Sequence, residues 1–253
     1  MPTPDIIEYA NSGDIKKVQE CITNGDDINV TDHNGRTALI LASRSSDQQI
    51  VELLIDANAD LNVTTPYGWT ALIHASDNGH QQVVTSLITA HADINVADDI
   101  GHTAVMRASM YEHQPVVESL IAAHADINMT DNYGWTALMN ASESGKVECV
   151  KLLIQNKANL FVRSTHDVMD IKKGSSALDI AYNGNMHNTI TELINAPDPD
   201  EINELHFYAA KGDHKMIKQS ITKENDPCEI KQMIEARDRY GGKPADINES
   251  LFF

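Results

Sequence analysis

Long apolar runs are missing from this chain of 253 residues. No stretch of about 18 apolar residues occurs, which excludes an expected membrane-spanning helix. The opening Met1-Pro2-Thr3-Pro4-Asp5 lacks the basic-then-apolar order of an export leader, so the expectation is a cytoplasmic protein. Cysteine is scarce as well. Cys21, Cys149 and Cys228 are an odd, widely spaced set, which fits buried thiols in a reducing compartment and excludes a disulfide framework. Basic charge is short, with 19 Lys and Arg against 37 Asp and Glu. A surface of that sign repels phosphate backbones, so nucleic acid is not the expected partner. Also absent are a P-loop, a Gly-rich dinucleotide turn, His-Glu-x-x-His, a nucleophile elbow and paired cysteines, and with them the usual signs of catalysis, cofactor or metal.

What the chain does have is repetition. Asn34-Gly35-Arg36-Thr37-Ala38-Leu39-Ile40 returns as Tyr67-Gly68-Trp69-Thr70-Ala71-Leu72-Ile73, as Ile100-Gly101-His102-Thr103-Ala104-Val105-Met106 and as Tyr133-Gly134-Trp135-Thr136-Ala137-Leu138-Met139, a period of 33 residues. Such a period means stacked units, each burying its apolar side against the next. Within a unit the order is a turn, a short helix opened by Thr, a break, a second helix such as that from His80 to Ala90, and an Ala-Asp-Leu/Ile-Asn stretch. Asn58, His91, His124 and Lys157 stand where a left-handed residue should end the second helix. Asn and His tolerate that backbone, while Lys157 is the strained case.

These residues resemble the ankyrin repeat. Gly35, Gly68, Gly101 and Gly134 match the family's turn glycine, and Asp60-Leu61-Asn62, Asp93-Ile94-Asn95 and Asp126-Ile127-Asn128 match its hairpin strand. The resemblance implies an all-α solenoid of stacked helix-turn-helix units with β-hairpin connections, about seven units in all. Its family proline is Ala38, Ala71, Ala104 and Ala137 here, and its signature histidine is Ile40, Ile73, Met106 and Met139, which implies a drier interior.

The expected domains are a capping unit at 1–31, four regular repeats at 32–163, a degenerate fifth repeat with an extended finger at 164–198, and a C-terminal unit with a truncated final repeat at 199–253. The finger follows from the turn glycine, which is due at residue 167 and comes at Gly174.

Positions that vary between matching copies are those that packing leaves open. Before the turn glycine stand Asn34, Tyr67, Ile100 and Tyr133; after it stand Arg36, Trp69, His102 and Trp135. On the first helix the ladder runs Leu41, His74, Arg107 and Asn140, with Met110 and Tyr111 at its end in the third unit. The family implies that these positions line the concave side. Five of the 13 aromatic residues fall among them and are expected to be exposed. Tyr, Trp and Arg dominate binding hot spots, which makes the set from Asn34 to Trp135 the expected contact surface for a protein or peptide. On that reading Trp69→Ala and Trp135→Ala weaken capture and leave the thermal midpoint nearly unchanged.

The expected function is a non-catalytic, monomeric interaction module without cofactor or metal. Two alternatives remain open. One is a bacterial effector working in a host cytosol, with Glu249-Ser250-Leu251-Phe252-Phe253 as a delivery signal; the other is an enzyme or enzyme subunit using Asp167, Asp170, Lys172 and Lys173 of the finger, or the C-terminal region. The resemblance also implies that Asn62, Asn95 and Asn128 could be substrates of an asparaginyl hydroxylase.

Overall fold

The computed structural model describes residues 5–194 and Ala196. The unit expected at 199–253, the Glu249–Phe253 tail and Cys228 lie outside the described residues. The chain separates into two compact units, Met1–Thr189 and Ile190–Phe253, and the architecture below is that of the first.

Twelve helices occur among the described residues: α1 (Asp5–Ser12), α2 (Ile15–Asn24), α3 (Ala38–Arg44), α4 (Gln48–Asp56), α5 (Ala71–Asp77), α6 (Gln81–Thr89), α7 (Ala104–Met110), α8 (Gln114–Ala122), α9 (Ala137–Glu143), α10 (Val147–Gln155), α11 (Ala177–Asn183) and α12 (His187–Ile194). The odd-numbered helices from α1 to α11 pack in one row and the even-numbered helices from α2 to α10 in a second. Each first helix is short because its ends are fixed locally. Thr37, Thr70 and Thr136 accept the backbone N–H three residues on, which caps α3, α5 and α9. Small residues let the first row close up: Ala42, Ala75, Ala108 and Ala141 are wholly buried, and so are Ser43, Ser76, Ser109 and Ser142 beside them. The second row supplies branched bulk through Ile50, Val84, Leu87, Val117, Leu120, Val150 and Leu153. Ile40, Ile73, Met106 and Met139, the replacements for the family histidine, are buried apolar contacts.

The second helices end as the sequence leads one to expect. Asn58, His91, His124 and Lys157 all take positive φ, from 60° to 66°. Gly25, at φ 80°, closes α2 with its N–H on the Ile22 carbonyl.

The Asp-x-Asn stretches differ from expectation, since no strand forms there among the described residues. Their backbone donors are spent on side chains. The Asn62 N–H goes to its own Asp60 carboxylate, and the Asp60 N–H goes to Asn29 Oδ1 of the preceding unit. Asn62, Asn95 and Asn128 repeat the rung to Asp93, Asp126 and Asn159 at 2.8–2.9 Å. The connections are thus pinned by an asparagine ladder, and among the described residues β pairing is limited to isolated bridges such as Ala97 with Thr103.

Candidate functional site

Each turn is built on one polar residue: Asp32, Thr65, Asp98, Asp131, and Ser164 at the base of the finger. The Asp131 carboxylate accepts the backbone N–H groups of Tyr133 and Trp135, and Asp98 accepts those of Ile100 and His102. These bonds fix the tip before the glycine and the side chain after it. The glycines are needed on two counts. Gly68, Gly101 and Gly134 have φ of 76° to 88°, and a Cβ on any of them would lie 2.7–2.8 Å from the backbone of the next turn.

Buried carboxylates need polar partners, and each one finds a different donor. Asp32 is held by Arg36 of its own turn at 2.6 Å. Burial raises the pKa of Asp32, but the Arg36 guanidinium and the N–H groups of Arg36 and Asn34 outweigh it and leave the carboxyl below its usual range. Asp98, whose side chain is wholly buried, is paired with Arg107 on α7. Asp131 receives His102 Nε2 from the preceding repeat at 3.1 Å.

Arg107 joins two repeats. Its guanidinium lies 4.4 Å from the Trp69 ring centroid and 3.8 Å from Asp77, both in the repeat before it. Trp69 also meets the His74 ring at 4.7 Å. Burial, then the nearby Arg44, Arg36 and Arg107, pushes His74 down to about 4, so it is a neutral ring at physiological pH. Burial raises Asp77 against the pull of Arg107.

The expected contact residues divide into two ranks. The tip residues Tyr67, Ile100 and Tyr133 are exposed, at 69%, 37% and 43%, as are Tyr111 and Asn34. Behind them Arg36, Trp69, His74, Arg107 and Met110 are half-buried. Four of the positions expected to be open are not. Trp135 is 7% and His102 8% exposed, and on the first-helix ladder Leu41 and Asn140 are buried too. His102 turns onto Asp131, and the repeat after Trp135 carries the buried Ile180 at the sequence position that Arg107 holds after Trp69.

The histidines of the helix breaks carry a role the sequence reading missed. His80 and His113 donate Nε2–H to the Arg44 and Asp77 carbonyls of the previous repeat, at 3.0 Å each. The signal was their place just after Gly79 and Glu112, both at positive φ.

The finger from Ser164 to Gly174 is fastened at its base. Ser164 N donates to Ser175 O, Thr165 N to Tyr133 O, and Lys173 N to the Asp167 carboxylate. Met169 at its tip is 92% exposed. Asp167 is held below its usual range by the Lys173 N–H against a small opposing effect of burial, with the Lys172 ammonium 3.8 Å away. Asp167 and Lys172 form a loose pair at the surface. No cluster of three or more potential metal ligands occurs among the described residues, and no described helix is long and apolar enough to cross a membrane.

Helix pairs stacked in two rows, with turns held by buried carboxylates, define a repeat array that presents side chains from its tips. The family model for ankyrin repeats (3 copies) matches residues 6–98 and 83–164, and the chain belongs to the ankyrin repeat family. That family is typically non-catalytic and binds protein partners. A comparison with curated proteins gave no match.

Proposed function

We propose that the stack is a non-catalytic interaction module that holds a segment of another protein against its hairpin tips and first helices. The observation that supports this reading most is the row Tyr67, Ile100 and Tyr133: large apolar side chains set in equivalent places of successive repeats and left in water by packing. The half-buried rank behind it, Arg36, Trp69, His74, Arg107 and Met110, forms the floor. Tyr111, at the end of α7, adds a contact at the rim. Buried Trp135 and His102 act through the fold, by holding the tips in place. The face is pre-organised, so binding orders few side chains.

Hydroxylation of Asn62, Asn95 or Asn128 would require its rung to the next repeat to open first.

The test is capture from cell extract by the full chain. Tyr67→Ala with Tyr133→Ala is expected to lower partner yield at least about tenfold and leave the thermal midpoint unchanged. Gln82→Ala, exposed on α6, should bind as the wild type does. Undiminished capture by the tyrosine double variant would overturn the assignment.

A further inference from the structure

The tip row has a spacing that a partner must match. Consecutive tips are tied together by backbone bonds: Asp99 N to Tyr67 O at 3.0 Å, Asn132 N to Ile100 O at 3.1 Å and Thr165 N to Tyr133 O at 2.8 Å. The row is therefore stiff, one residue wide, and stepped at the distance between packed helices, about 10 Å.

Backbone forms differ in how they meet such a step. A β-strand returns to the same face every second residue, about 6.7 Å, and falls out of step at once. A polyproline-II segment returns every third residue, about 9.3 Å, and stays in step across all three tips with a drift of only about 1.4 Å. An α-helix returns after seven residues, about 10.5 Å, but its apolar stripe is roughly 100° wide and needs a trough to lie in. Behind the tips that space is filled by Trp135 and His102, and by Trp69 braced under Arg107.

Charge narrows the occupant further. Arg36 is bound to Asp32 and Arg107 to Asp98, so neither offers a free cation. Asp99 on the tip row and Glu143 at the end of α9 are exposed and form no ion pair among the described residues. The exposed Arg44 stands at the first repeat and the exposed Lys172 and Lys173 on the finger, so these exposed cations lie at the two ends of the tyrosine row and the acids along it. Exposed tyrosine faces take both proline rings and guanidinium groups.

Building on the face assigned above, we propose that the row Tyr67, Ile100 and Tyr133 receives a polyproline-II-type segment of a partner protein, with apolar side chains at every third residue and arginine or lysine between them. Tyr67 and Tyr133 take the outer two anchors and Ile100 the middle one.

Fluorescence anisotropy of the full chain with three labelled dodecamers tests this. The probes are (Pro-Leu-Arg) repeated four times, an isomer of the same composition with leucines at helical spacing, and (Pro-Leu-Glu) repeated four times. The first is expected to bind at least about tenfold tighter than either of the others and to lose at least about tenfold in Tyr67→Ala/Tyr133→Ala, while Gln82→Ala leaves it unchanged. Equal binding of the two arginine isomers, still dependent on the tyrosines, would keep the face and overturn the three-residue period. Tighter binding of the glutamate peptide would overturn the charge assignment. Silence from the first peptide, or binding that ignores both tyrosines, would overturn the proposal. The capture experiment then decides separately whether the face binds a protein at all.

Discussion

Tyr67-Gly68-Trp69-Thr70-Ala71-Leu72 and Tyr133-Gly134-Trp135-Thr136-Ala137-Leu138 are the same six residues, 66 positions apart, yet their tryptophans lie in different surroundings. Trp69 is half-buried and meets both the His74 ring and the Arg107 guanidinium. Trp135 is buried in a repeat whose ladder residue is Asn140, and the following repeat offers Ile180 where Trp69 meets Arg107. The neighbouring repeat, not the motif, decides whether the ring is a floor that a ligand can reach or part of the core.

The largest expected effect breaks the apparent equivalence of the two rings. Trp135→Ala should cost about 4 kcal/mol of stability, in the range of large-to-small core substitutions, and Trp69→Ala only about 1 kcal/mol. Urea unfolding of both variants checks this, and equal losses would mean that the two rings share one environment. Next comes the brace itself. Arg107→Met keeps most of the volume but leaves the buried Asp98 carboxylate without its cation, an expected loss of about 3 kcal/mol. Because Trp135 has no such brace, Arg107→Met should leave the environment of Trp135 unchanged, which the fluorescence of single-Trp variants would report.

His74, packed on Trp69, adds a pH dependence that Asn140 cannot give Trp135. An unfolded histidine takes a proton near pH 6.5, whereas in the fold His74 resists it down to about 4. Between those values the unfolded chain binds the extra proton. The contribution of His74 is therefore present in full above pH 6.5 and is lost as the pH falls toward 4, about 2 kcal/mol after allowance for partial exposure. Stability measured against pH should lose this part of its slope in His74→Gln. An unchanged slope would mean that the ring is free to ionise.

Much of this architecture was legible from residue order, because it depends on local chemistry. The period, the turn glycines, the Thr caps of α3, α5 and α9, and the left-handed residues Asn58, His91, His124 and Lys157 each answer to a backbone demand within a few positions. What could not be read depends on the adjacent repeat. The partner of Asp131, the stacking of Arg107 on Trp69, and the Asn ladder all cross from one unit to the next. Exposure was read correctly for Tyr67, Ile100, Tyr111 and Tyr133, whose place before the turn or at a helix end leaves much of each side chain in water.

The smallest expected effect concerns the joint where the tip bonds stop. Tyr67, Ile100 and Tyr133 each give a carbonyl to the N–H of the next turn, but the residue facing Asn34 in that register is Pro66, which has no N–H to donate. The first joint is held by the Asn29 rung and by the packing of α3 on α5. Pro66→Ala would supply the missing donor, a gain of about 1 kcal/mol, and would loosen the unfolded chain by nearly as much, so overall stability should shift by less than about 0.5 kcal/mol. The readout is hydrogen exchange at the new amide. Protection matching that of Asp99 and Asn132 would mean that proline alone interrupts the row, whereas exchange at the free-peptide rate would mean that the first and second tips stand apart for another reason. In the first case the variant also extends the stiff row by one repeat, and a period-three peptide long enough to reach Asn34 should bind it more tightly than it binds the wild type.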